Sequence, residues 1–224
     1  MQAAVCDVSW LWTRRYSQDA TIKLVGDRYG LKKRQRLAVL RGACSDQARR
    51  RRSARRVSSH QLHGAALQLD GFNVLTTIEA AIAGGVLLEC RDGAIRDMAS
   101  IHGSYRIVEE TETAIEQIAS LLLEREIGAA CWWLDAPVSN SGRLAQLLRR
   151  MADRHDWPWT VHVDNHVDRR LIESEEIVAT SDSVVVDGCR YWYPLSTELI
   201  ARFRRHDDSL WIVPLISRRS GLPS

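Results

Sequence analysis

From residue 63 onward the sequence alternates short apolar runs with segments whose apolar positions recur at helical spacing. Strands joined by helical crossovers run parallel, so the pattern implies an α/β fold with a mainly parallel sheet sandwiched by helices. The candidate strands are residues 66–69, 131–134, 160–163, 177–180 and 210–213. The clearest helices are 78–83, 113–125, 143–154 and 197–204. Among them, an apolar segment at 84–89 is followed by residues 91–95, whose Asp92-Gly93 pair favours a tight turn and predicts an inserted β-hairpin. Residues 183–187 stay open: three consecutive valines favour a strand, whereas Ser181 or Asp182 can cap a helix.

Asp70, Asp135, Asp164 and Asp182 each stand just past one of these strands. In a parallel sheet all carboxyl ends open on one edge, so four such carboxylates converge on one crevice. Like charges gathered there repel, and a hard divalent cation relieves the repulsion; oxygen-only ligands select Mg²⁺ or Mn²⁺. The plainer alternative is that each aspartate caps the helix that follows it. Asp168 lies four residues beyond Asp164, so on a helix the two share a face and either can point into the crevice. Asn73 either tolerates the turn after its strand or holds a phosphate oxygen or a metal-bound water. The loop 135–142 carries Ser139, Asn140, Ser141 and Gly142 beside a carboxylate, a set able to cradle a phosphate. His102 and Arg106 form a second polar loop, with substrate contact or local hydrogen bonding as its two uses.

The other functional classes lack their parts. There is no GxSxG, HExxH, strand-linked GxGxxG or GxxxxGK[ST] motif. The longest apolar run, residues 80–88, is less than half of what a spanning helix requires, and no signal peptide is expected. Five cysteines at irregular spacing, without a CxxC pair, fit buried thiols in a reducing, cytoplasmic setting. Trp132, Trp133, Trp157, Trp159 and Trp192 fit packing better than base stacking.

Charge divides the 224 residues. Residues 1–60 hold 15 Lys and Arg against 4 Asp and Glu, and residues 61–224 hold 16 against 24. A basic all-helical domain is expected over 1–56, a linker over 57–61 and the α/β domain over 62–224. Residues 18–42 contain two helical segments closed by Gly30 and Gly42, a pattern compatible with helix-turn-helix. Arg49, Arg50, Arg51, Arg52, Arg55 and Arg56 then form a run that is either a solvated hinge or a phosphate-binding arm. In the second case Arg51 and Arg52 contact nucleic acid. The alternative is that the basic helices pack on the acidic domain and neutralise it.

Residues 69–75, Leu-Asp-Gly-Phe-Asn-Val-Leu, resemble the opening strand of PIN-like nucleases of the NYN group. Residues 134–136, 163–168 with Leu171 and Ile172, and 178–182 are similar to that group's later acidic segments, in the same order. Over its whole length the chain resembles the prokaryotic family called domain of unknown function 434 with its attached C-terminal domain, through residues 24–31, 34–36, 41–42, 101–106, 135–142 and 180–183. The nuclease resemblance implies a metal-dependent endoribonuclease in which Asp70, Asp135, Asp168 and Asp182 are catalytic. Its spacing favours Asp168 as ligand, while strand-end placement favours Asp164. Nucleic acid, RNA first, is the implied partner, and a homodimer is open. The competing class is a non-catalytic nucleic-acid-binding protein on a degenerate PIN-like scaffold.

Overall fold

The computed structural model describes residues 1–98, 104–206 and 209–216. Its main sheet is built from β1 (Ala66–Asp70), β4 (Ala129–Asp135), β5 (Trp159–Asp164), β6 (Ile177–Ala179) and β7 (Tyr191–Tyr193), in the order β5-β4-β1-β6-β7. Every neighbouring pair is parallel. The crossovers are α5 (Gly71–Ile82), α6 (Glu110–Glu124), α7 (Ser141–His155), α8 (Val167–Glu173) and α9 (Ser183–Gly188), and α10 (Leu195–His206) follows β7. The α/β expectation therefore holds, and the open segment at 183–187 is a helix.

Strand alternation decides which face forms the core. Leu67, Leu69, Trp132, Leu134 and Val161 point one way and are buried with apolar residues of α5, α6, α7 and α10. On the other face Val178 and Trp192 pack with Val167 and Leu171 of α8 and Val185 and Val186 of α9. That cover thins toward β5, where Thr160 and His162 are exposed.

A second sheet lies beside the first. The hairpin of β2 (Leu87–Glu89) and β3 (Ile95–Asp97) is antiparallel, and β8 (Ile212–Pro214) pairs parallel to β2. The hairpin matches expectation, but the strand expected at 210–213 belongs here and not in the main sheet. A three-residue apolar strand carries no register information that could assign its partner. The strand β7 has the same weakness and gave no separate signal, although burial of Trp192 is as expected.

Four helices precede the sheets: α1 (Gln2–Thr13), α2 (Gln18–Arg28), α3 (Lys33–Gly42) and α4 (Asp46–Arg55). Ala4, Val5 and Val8 of α1 pack with Val25, Ala38 and Val39 and, across the boundary, with Leu88, Cys90 and Leu215. One apolar cluster thus joins the helical region to the second sheet. The arginine run is helix α4, not a hinge: arginine is a good helix former, and the Ser45 hydroxyl accepts from Ala48 N at 3.1 Å to cap the start. Residues 57–61 are likewise attached. Val57 N donates to Trp192 O at 2.8 Å, and a 3-10 turn, Ser59–Gln61, follows. No helix among the described residues is long and apolar enough to cross a membrane.

Candidate functional site

Asp70 ends β1 and Gly71 begins α5. A Cβ at Gly71 would stand 2.7 Å from Trp133 O, so glycine lets the helix start against β4. That turn drops the Asp70 carboxylate into the protein, 6% exposed, where Thr180 Oγ1 donates to it at 2.7 Å. Asn73, in the first turn of α5, accepts from Ser181 N at 2.8 Å and from Ser181 Oγ at 2.9 Å. Because β6 is the neighbour of β1, the Asp-Gly-Phe-Asn and Thr-Ser-Asp segments interlock through these bonds.

Asp70, Asp135, Asp168 and Asp182 line one cleft of about 470 Å³, with Asn73 and Ser181 beside them. Burial raises the Asp70 pKa; the Thr180 hydrogen bond opposes this in part, the charges of Asp182, Asp135 and Asp168 add to it, and the carboxyl is pushed up to about 8. Burial and then Asp168 raise Asp135, and burial and then Asp182 raise Asp168. Asp182 is also a cap, accepting from Val184 N at 2.7 Å and Val185 N at 3.3 Å, so the capping and cleft readings both apply to it.

Asp164 is placed differently. It stands opposite Asp135 in register, but its carboxylate accepts from His166 N at 2.8 Å and Arg170 Nε at 3.1 Å in the turn that starts α8. It is not among the residues lining the cleft, and the His166 amide, followed by Arg170, holds its pKa below the usual carboxylate value. The first turn of α8 brings Asp168 to the cleft in its place.

The two polar loops bind each other. Tyr105 N donates to Ser139 Oγ at 3.1 Å, and Asn140 Nδ2 to Tyr105 O at 2.7 Å. Tyr105 Oη donates to the buried Glu79 at 2.6 Å, as does Thr111 Oγ1. Ser139 is thereby occupied, and Ser141 opens α7 with its hydroxyl toward Ala136 O at 3.5 Å. Neither serine lines the cleft; Pro137 and Val138 of the same loop do. Arg106 is exposed beside Tyr105 and also lies outside the lining. His102 lies outside the described residues. Arg51 and Arg52 face aspartates: Arg51 Nη2 donates to Asp187 at 2.8 Å, and Arg52, 5% exposed, pairs with Asp92 at 2.6 Å and Asp187 at 2.5 Å. They serve the packing of α4.

Sequence reading missed a buried ionic chain that leads to the site. Asp92 accepts from both Arg52 and Arg96, and Arg96 Nε donates to Ser181 O at 2.6 Å. Burial alone would raise the Asp92 pKa, but Arg96 and then Arg52 more than offset it and hold it at about 2. Arg41, Arg96 and Asp97 also line the cleft. The available signal was a short hairpin carrying Arg96-Asp97 inside apolar sequence, since charged residues in a buried strand need partners.

Residues 59–198 match the family described as "Domain of unknown function (DUF5616)", and residues 1–55 match "Protein of unknown function (DUF434)". The chain belongs to the DUF5616 family, with a DUF434 region preceding that domain. The uncharacterized protein MJ0935 of Methanocaldococcus jannaschii is 31% identical over 201 residues, which cover 89% of this chain and 96% of that protein. No solved structure matches the chain. The expected likeness to the DUF434 family is thus borne out. The cleft draws on both regions: its aspartates are DUF5616 residues, and Arg41 comes from the DUF434 helices.

The oxygen-only donor set and the high pKa of Asp70 suit a hard divalent cation, which would displace the proton from that carboxyl. Among the described residues no three His, Cys, Asp or Glu side chains stand close enough together to hold one ion. A cation bound here would therefore take one or two of these carboxylates and complete its shell with waters and substrate oxygens.

Proposed function

We propose that this DUF5616 protein is a metal-dependent phosphodiesterase that cleaves RNA, as its resemblance to PIN-like nucleases implies. The observation that carries the reading is the gathering of Asp70, Asp135, Asp168 and Asp182, from four segments of the chain, around one open cleft at the carboxyl edge of a parallel sheet. Asp70 and its neighbours would hold Mg²⁺ or Mn²⁺, which supplies Lewis acidity toward a phosphodiester and a water of lowered pKa. Asn73, fixed by Ser181, orients polar groups at the base of the cleft. Thr180 orients the Asp70 carboxylate. The five thiols fit a reducing compartment, the cytoplasm.

Among the described residues no group of three side chains could hold one ion, which favours the second reading, a nucleic-acid-binding protein without catalysis. One assay separates the two: full-length protein, end-labelled single-stranded RNA, and Mn²⁺ or EDTA. Cleavage that needs Mn²⁺ and disappears in Asp70→Asn supports the phosphodiesterase. RNA binding with no cleavage under either Mg²⁺ or Mn²⁺ supports the binding protein.

A further inference from the structure

Arg41 and Arg96 line the same cleft as the four aspartates, but the two arginines are held differently. The guanidinium of Arg96 is enclosed, with Asp92 and Ser181 O around it. Arg41 lies in the last turn of the DUF434 helix α3, and its side chain is 27% exposed. Several contacts fix that helix end on the hairpin. Arg91 N donates to Gly42 O at 2.9 Å and Arg96 Nη1 to Arg41 O at 3.4 Å, while Leu215 packs so closely that a Cβ at Gly42 would clash with it. Asp97 then orients the Arg41 fork, accepting from Nη1 at its backbone oxygen at 2.7 Å, with its carboxylate 3.6 Å away.

We propose that Arg41 is a phosphate-contacting residue of the cleft, supplied by the DUF434 region, and that α3 carries the path of a single-stranded polynucleotide beyond it. A phosphodiester entering among four carboxylates needs a fixed cation besides a metal, and a guanidinium grips phosphate through paired N–H donors while charge-paired elsewhere. Arg34 stands seven residues earlier on α3, which places it on the same side of the helix, about 10 Å back along its axis. It is exposed. A mononucleotide cannot reach both arginines, whereas a strand of several nucleotides can. The aligned pair also gives Arg34 and Arg41 a task that the metal chemistry does not, whereas Arg36 is taken up by Asp27 and the Lys23 and Leu31 carbonyls.

This inference rests on the phosphodiesterase reading for its substrate class, and its test is independent of turnover. Fluorescence anisotropy in EDTA would follow a 12-mer of single-stranded RNA, about 12 nucleotides being enough to span both arginines, across about 50–300 mM NaCl. We expect Arg41→Gln to bind about ten-fold more weakly at low salt, with the log–log salt slope reduced by about 0.7, the loss for one single-strand phosphate contact. Arg41→Lys should keep the slope and lose part of the affinity. Arg34→Gln, on an exposed surface where folding is not at stake, should also lower the slope.

Thermal melting of each variant reports folding, and if Arg41→Gln fails to fold, Arg34→Gln and Arg41→Lys decide. Wild-type slope and affinity in folded Arg41→Gln, or in both other variants, would overturn the proposal. So would absence of RNA binding by the wild type. Mn²⁺ calorimetry keeps the two ideas apart. Weakened RNA binding in Arg41→Gln with no Mn²⁺ binding by any form sinks the metal reading and leaves the phosphate contact standing. Mn²⁺-dependent cleavage with an unchanged salt slope does the reverse.

Discussion

At Asp70, burial and the charges of three neighbouring aspartates act in the same direction. An acid whose folded pKa lies above its unfolded value of about 4 contributes stability that is fully present below pH 4 and lost as pH rises through the folded value. Here that window runs from about 4 to about 8. We expect Asp70→Asn to melt about 4 °C or more above wild type at pH 8 and within a degree of it at pH 4, by calorimetry at both pH values. Equal melting shifts at the two pH values would contradict the assigned protonation. Asp164 and Asp168 give a second comparison. Mn²⁺ affinity should fall in Asp168→Asn and stay unchanged in Asp164→Asn, because Arg170 and the His166 amide already hold Asp164 outside the cleft. The reverse pattern would return the ligand role to the strand end.

The elements show what the sequence carried and what it did not. Four of the five main strands, their parallel direction and the hairpin were legible because alternation and turn chemistry are local properties, whereas the strand order was not. So were three of the four cleft aspartates, since a strand end locates its own carboxylate. The choice of Asp168 over Asp164 was not legible from strand ends, because it depends on a two-residue turn into α8. The helix α4 was obscured because its polar composition outweighed good helix propensity, and only the distant Asp92 and Asp187 show why Arg52 can be buried there with Arg51 beside it. The pairing makes α4 sensitive to one carboxylate. Asp92→Ala would leave Arg52 and Arg96 buried without their shared partner, a loss of about 3 kcal/mol, which lowers the melting temperature by roughly 6–12 °C. Because Asp92 is depressed to about 2, its contribution is present above about pH 4 and fades as pH falls through 2. A melting temperature within 2 °C of wild type, at most about 1 kcal/mol, would show that the network carries little stability.

Over the whole molecule, the basic helical region and the acidic α/β region are joined through charge and apolar packing together. Arg91 donates to Asp46 at 2.5 Å, Arg55 to the Asp187 and Cys189 carbonyls at 2.9 and 3.1 Å, and one apolar cluster crosses between the regions. Of the arginine run, Arg51, Arg52 and Arg55 are therefore held at an interface with the α/β region, and the helical region's cation at the cleft is Arg41 of α3. Brief trypsin digestion of the native protein should spare residues 49–61 despite their arginines. Rapid cutting there into two lasting fragments would mean that the segment is a hinge after all. The carboxylate cleft itself is tested most directly by calorimetric Mn²⁺ titration of the full chain from pH 6 to 8.5. We expect saturable binding that tightens with pH, releases a proton as Asp70 ionises, and is lost in Asp70→Asn; no saturable binding at any pH, or binding indifferent to that substitution, would contradict it.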